Sequence, residues 1–157
     1  MDVFTSCMGD GTVSRGNATS RRGAATSILL AGGAGSRFRD VGHKLSAGLP
    51  GDRNRPRETV FARSLAAVVD ADIGRLVVVT GRLDADELGV ADRDDLDVVH
   101  NPDWADGQMT SVRVGVASAA AAGSTVAVIG LADQPGIDPS AWRAVADAAL
   151  AGARIAV

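Results

Sequence analysis

Ser27-Ile-Leu-Leu-Ala-Gly-Gly-Ala-Gly-Ser-Arg-Phe38 opens as an apolar run and turns abruptly into glycine, and its reading decides the fold. A short apolar run bounded by turn formers reads as a buried strand. Ser27 to Ala31 is therefore the first strand, and Gly32 to Gly35 a glycine-rich loop. Working outward, Glu58 to Ala71 is helical, with Phe61, Leu65, Val68 and Val69 on one face. Arg75 to Gly81 is a continuous β-branched run of the kind found in a strand covered on both faces. Val98 and Val99 begin another strand, closed by His100-Asn101-Pro102. Met109 to Ala122 reads as a helix with Met109, Val112, Val116 and Ala120 as its inward stripe, Met109 filling the core. Thr125 to Leu131 returns as a strand. Asp138-Pro139 starts a helix that turns Trp142, Val145, Ala146, Ala149 and Leu150 inward and ends at Gly152. Arg154 to Val157 reads as one more strand. Strands alternating with helices predict an α/β domain: three α/β/α layers, Rossmann-like, around a mostly parallel sheet.

Composition narrows the function. The chain has 157 residues, 46% of them hydrophobic, enough for one core. Residues 1–26, rich in Gly, Ser, Thr and Arg, read as a flexible leader in which Met8 is an alternative start. Residues 27–157 form the domain. Sixteen basic residues against nineteen acidic give a net charge of −3, so there is no electrostatic footprint for duplex nucleic acid. Aromatics at 3% leave few side chains to stack on bases. Cys7 is the single cysteine, which suits a reducing cytoplasm, and no apolar run is long enough for a membrane span. Arg21-Arg22 before so brief an apolar run is not read as an export signal. Lys44 is the only lysine, so any role needing a compact ammonium falls on it.

The loop itself fits neither common phosphate motif. G-x-G-x-x-G fails because Phe38 stands where the third glycine packs a helix on the sheet. The Walker pattern fails because Lys44 is followed by Leu45 rather than by a hydroxyl residue. What remains is a glycine loop flanked by Arg37 and Lys44, two cations that either neutralise a triphosphate or merely solvate a turn. His43 and His100 read as loop residues. The acidic string Asp84, Asp86, Glu87, Asp92, Asp94, Asp95 and Asp97 lacks the calcium-loop order and reads as a solvated face.

Three ordered blocks carry a resemblance. Leu30 to Phe38 with Lys44-Leu45, Asn101-Pro-Asp-Trp-Ala-Asp-Gly-Gln-Met-Thr-Ser111, and Leu131-Ala-Asp-Gln-Pro135 resemble the MobA-like NTP transferases, in particular their molybdenum cofactor cytidylyltransferase branch. The resemblance implies the nucleotidyltransferase form of the fold and a Mg²⁺-dependent enzyme. Such an enzyme moves CMP or GMP from CTP or GTP to a phosphorylated small molecule such as molybdopterin and releases pyrophosphate. It implies nucleotide contacts from Leu30, Ala31, Gly32, Gly33, Gly35, Ser36, Arg37 and Lys44. Catalytic roles fall on Arg37, Lys44 and Asp133, with Asp133 as the Mg²⁺ ligand. Asp133 lies just past the carboxyl end of a strand, where open α/β sheets place ligands, although Asp-Gln-Pro is also an ordinary turn. Asn101, Gly107 and Ser111 match the acceptor pocket; Gly107 is expected to permit close approach of the chain and Ser111 to sit near a helix N-terminus. Trp104 is read as a half-buried structural residue or a stacking face for a pterin. A molybdoenzyme or maturation factor is the partner implied.

Two departures set alternatives beside this. The L-A-G-G form resembles guanylyltransferases more than cytidylyltransferases, so the base stays open. Relatives also continue beyond a strand like Arg154 to Val157, so the domain is expected to be incomplete at its C-terminus and to lack a second acidic metal ligand. An NAD(P)H-dependent oxidoreductase of the nicotine-blue type and a catalytically inactive nucleotide-binding fragment are the competing readings. A strand without its neighbour exposes unpaired backbone, so lowered stability or aggregation is expected; a cooperatively melting, monodisperse monomer would contradict it.

Overall fold

Six uncharged residues, Ala25–Leu30, form the central strand β1, and every one of them is buried. The computed structural model describes residues 24–33, 43–50, 58–91 and 93–154. β1 lies between β2 (Arg75–Thr80) and β4 (Val126–Leu131), while β3 (Leu96–His100) pairs with the far side of β2. All three pairings are parallel: Ile28 stands beside Val77 on one side and Ile129 on the other, and Val78 beside Val98. Parallel neighbours need crossovers. Helix α1 (Val60–Ala71) joins β1 to β2, the short α2 (Ala85–Leu88) joins β2 to β3, and α3 (Gln108–Ala121) joins β3 to β4. Helix α4 (Pro139–Leu150) follows β4. The order β3-β2-β1-β4 means that the chain walks outward from β1 to β3 and then returns to the other edge of β1. The switch point therefore falls between β1 and β4.

β1 begins at Ala25, inside the stretch assigned to the leader. Ala25 and Thr26 are wholly buried, and the Thr26 hydroxyl shares a 2.7 Å hydrogen bond with that of Ser124. Small and β-branched residues fit between two neighbouring strands, and composition alone does not distinguish them from a polar leader.

Period-two alternation sends successive β-strand side chains to opposite faces. On one face Leu29, Leu76, Val78 and Val128 meet Phe61 and Val68 of α1 and Trp142 and Ala146 of α4. On the other, Ile28, Leu30, Val77 and Val79 lie beneath α3. This is the three-layer α/β/α arrangement. Local signals start its helices: the Thr59 hydroxyl accepts from Ala62 N–H at 3.1 Å at the head of α1, and Asp138 accepts from Ser140 N–H at 2.8 Å, with Pro139 in the first helical turn of α4.

α3 presents a different face from the one its bulky residues suggest. Ser111, Gly115 and Ala119 face the sheet, whereas Met109 is 62% exposed and Val116 41%, so Met109 is no core filler and the expected stripe is corrected. The reason is volume. The sheet already supplies Ile28 and Val79, and a Cβ on Gly115 would lie 2.6 Å from Ile28 Cγ2. Only a seam of small residues lets the helix settle against these branched side chains.

The acidic string is dispersed into local pairs. Asp84 and Glu87 form a reciprocal cap on α2, Arg93 pairs with Asp95, and Arg75 makes a two-pronged contact to Asp97 across β2 and β3. Hydrogen bonding to Asp97, together with the carboxylate's charge, holds the Arg75 guanidinium above its ordinary pKa. His100 ends β3 rather than lying in a loop. The strand expected over 154–157 lies outside the described residues beyond Arg154. No helix among the described residues is long and apolar enough to cross a membrane.

Gly115→Val should lower urea stability by about 2 kcal/mol or more through overpacking, whereas Val116→Ala, one residue on, should change it by less than about 0.5 kcal/mol. Asp138 is held below the usual carboxylate range by hydrogen bonding from Ser140, side chain first. Its stabilising effect is thus present above the ordinary carboxylate pKa and lost as pH falls through the depressed value. Asp138→Ala should melt below the parent at neutral pH, and the gap should close on acidification below about pH 4.

Candidate functional site

The carboxyl ends of β1 and β4 diverge at the switch point, and the chain leaving each is still tied to its neighbours. Ala31 N–H donates to the Val79 carbonyl at 2.8 Å, carrying the sheet bonding one residue past β1. Ala132 N–H donates to the Leu30 carbonyl at 3.0 Å, while the Ala132 carbonyl accepts from the Ser64 hydroxyl of α1 at 2.9 Å. Asp133 therefore emerges from backbone fixed on both sides.

Lys44 opens a 3₁₀ turn, Lys44–Ser46, whose Leu45 is buried in the core. Val60 N–H to the Ala47 carbonyl (3.0 Å) and Leu49 N–H to the Glu58 carbonyl (2.8 Å) stitch this segment to the head of α1. So anchored, Lys44 Nζ reaches Asp133 Oδ2 at 2.7 Å across 89 residues of sequence. The two side chains are 38% and 40% exposed, so the pair is a half-solvated one worth about 0–1 kcal/mol. It holds the two groups together and yields readily to a better partner.

The pair stands in a cleft of about 500 Å³. Leu30, Ala31, Gly32 and Gly33 line it, beside a wall made by Trp104, Gly107, Gln108 and Ser111, so close that a Cβ on Gly32 would lie 3.0 Å from Ser111 Oγ. A buried amide supports that wall. Asn101, 1% exposed, donates through Nδ2 to the hydroxyls of Thr110 (2.8 Å) and Ser111 (2.9 Å) and accepts from Asp103 N–H at 3.0 Å. Asn101 thus lies beneath the cleft surface and holds Ser111, rather than facing the cavity. Because Ser111 Oγ accepts from Asn101, its own hydrogen stays available as a donor. Gly107 is needed for its backbone angle, φ 116°, and not for close approach: nothing lies within 4 Å of where its Cβ would be. It leads into α3 without a side-chain cap, and Gly107 and Gln108 at the head of that helix line the cleft, a setting that favours anions. Trp104, half-buried, packs over the Gly81 backbone and also lines the cavity.

Of the residues singled out in sequence, Leu30, Ala31, Gly32, Gly33, Lys44, Gly107, Ser111 and Asp133 share this cleft. Gly35, Ser36 and Arg37 lie outside the described residues. Sequence reasoning missed His43, which lines the cleft and caps the Lys44 turn, and Ser64, which pins the residue before Asp133. A lone hydroxyl on the Phe61–Val68 apolar stripe was the signal for Ser64. Among the described residues no group of three or more His, Cys, Asp or Glu side chains could by itself enclose a metal. Asp133 alone is a hard oxygen donor, which suits an ion that takes its other ligands from phosphate and water.

Glycine backbone, a cation and a carboxylate thus gather at the switch point of a parallel α/β sheet, the place where open sheets of this Rossmann-like topology bind ligands. The chain belongs to the MobA-like NTP transferase domain family, whose model matches residues 27–157. Among solved structures it is similar to a nucleotidyl transferase from Methanothermobacter, Mth528 (27% identity, TM-score 0.65, covering 79% of this chain and 57% of that one). It is also similar to Rv0371c from Mycobacterium tuberculosis H37Rv (26% identity, TM-score 0.61, 82% and 61%). A manganese complex of Rv0371c shares the fold at 24% identity, with a TM-score of 0.56 and coverage of 82% and 60%. The chain spans about three fifths of the length of these structures. No curated protein matches it significantly.

Asn101→Ala should cost about 1–3 kcal/mol in urea denaturation, because it strips partners from two hydroxyls and a backbone N–H at once. Ser111→Ala, which leaves a single amide hydrogen unpaired, should cost less.

Proposed function

We propose that the cleft binds a nucleoside triphosphate, CTP or GTP, and transfers its nucleotidyl group to a phosphorylated pterin such as molybdopterin. The Lys44–Asp133 pair carries this reading: a compact cation for phosphate and a hard carboxylate for Mg²⁺ meet at 2.7 Å where the sheet opens. Membership of the MobA-like family and likeness to a nucleotidyl transferase support it, and the manganese complex of Rv0371c is in keeping with a divalent ion.

In the reaction a phosphate oxygen of the acceptor bonds to the α-phosphorus, the bond from that phosphorus to the bridging oxygen breaks, and pyrophosphate departs with the electron pair. Mg²⁺, when bound, would be held by Asp133 together with phosphate oxygens and would supply charge neutralisation. The chain's own part is positioning and electrostatics. Lys44 leaves Asp133 for the triphosphate, a move the weak half-solvated pair permits. Backbone from Ala31 to Gly33 passes along the nucleotide. Next to Gly32, the Ser111 hydroxyl and the first turn of α3 receive the acceptor phosphate, and Trp104 offers an apolar face to its ring. Arg37 adds a second cation to the phosphates. The cytoplasm, where such substrates are made and thiols stay reduced, is the compartment this reading requires.

The two tryptophans give the test a built-in reporter, since Trp104 lines the cleft and Trp142 is 5% exposed in the core. Titration with Mg–CTP, Mg–GTP and NADPH should change fluorescence and raise the melting temperature with a triphosphate alone, and the fluorescence change should vanish in Trp104→Phe. Lys44→Ala should weaken triphosphate binding about tenfold or more, the scale of a charge-assisted hydrogen bond. Asp133→Asn should remove the Mg²⁺ dependence. A response to NADPH alone, or to none of the three, would reject the proposal. Pyrophosphate release on adding a phosphorylated pterin then tests turnover.

A further inference from the structure

We propose that His43 is a positioning residue for nucleotide binding, its neutral imidazole clasping the Gly33 carbonyl to the turn that carries Lys44. The inference rests on the reading of the cleft as a triphosphate site. His43 Nε2 lies 2.9 Å from the Gly33 oxygen. A carbonyl oxygen can only accept, so Nε2 carries the proton. On the other side of the ring, Nδ1 accepts from Leu45 N–H at 3.3 Å and must be bare. Both contacts thus demand the same tautomer of an uncharged ring.

The clasp has one end in the core and one in the cleft. Leu45 is 4% exposed, and its segment is stitched to the head of α1. Gly33, by contrast, is exposed at the end of the backbone that leaves β1. Without the imidazole, that carbonyl would be free to turn its negative end toward a polyanion in the cleft. With it, the oxygen is occupied by a donor, and Gly33 keeps a fixed distance from the residue that precedes Lys44. This relation does not depend on whether Lys44 holds Asp133 or a phosphate, so the cation moves against a fixed frame. His43 transfers no proton in this role.

Three substitutions separate the two halves of the clasp. A Gln amide nitrogen reaches about as far from Cα as Nε2 and can donate to Gly33, whereas an Asn oxygen reaches about as far as Nδ1 and can serve only Leu45. Dissociation constants for Mg–CTP and Mg–GTP, read from Trp104 fluorescence on variants whose melting confirms folding, should rise about tenfold in His43→Ala and His43→Asn. His43→Gln should recover most of that loss. Equal affinity in all three variants and the parent, or recovery by Asn and not by Gln, would overturn the proposal. A second readout needs no nucleotide: imidazole ¹⁵N NMR of the free protein should show the proton on Nε2, and a proton on Nδ1 would overturn the clasp itself. If the NMR result holds and the parent binds no triphosphate, the function proposed above fails and the nucleotide role of His43 with it, while the clasp stands as a structural tie.

Discussion

The fold depends on β1 having a parallel neighbour on both edges. A strand in that position cannot carry charge, because helices cover both of its faces and strands both of its sides. Ala25–Leu30 meets this condition with small, β-branched and aliphatic residues only. Because its two neighbours, β2 and β4, are reached by chain running in opposite directions across the sheet, the connections part company at its carboxyl end. The cleft is a result of that parting, and the glycines after β1 let the backbone itself form one of its sides.

Within the cleft, the groups with chemistry are few and each is held from behind. Asp133 follows a residue whose carbonyl is bound by Ser64 and whose N–H is bound by Leu30. Ser111 is held by Asn101, and Lys44 stands next to a leucine anchored in the core. The backbone is tied by hydrogen bonds while the Lys44 and Asp133 tips are part-exposed, which is the division a binding site needs when a cation must change partners.

Much of this was legible in the sequence, for identifiable reasons. Arg75–Thr80 shows itself as a strand because a β-branched run has no other comfortable place, and the Asp138-Pro139 start of α4 is a local capping signal that tertiary packing had no reason to override. A shared cleft for Lys44 and Asp133 is what the resemblance carried by the three blocks implies; the residues alone left both open as ordinary turn residues. The inward face of α3 was not legible, because a hydrophobic stripe says which residues are apolar and not how much room the sheet leaves. Ile28 and Val79 took that room, and Gly115 became the buried position. His43 was hidden for a related reason: a histidine in a loop acquires meaning only when the carbonyl it meets, ten residues earlier, is placed in space.

The parallel pairing of β1 with β4 joins chain that is far apart, as the Thr125 N–H donating to the carbonyl of Ala24, 101 residues away, makes plain. Such contacts reward the chain only after a long excursion has been closed, and they make folding slow compared with that of helical domains of similar size. Asp133 lies two residues past β4, so it meets Lys44 only when that strand has docked on β1. The cation and the carboxylate of the cleft therefore belong to one site only in a copy whose β1–β4 pairing is closed.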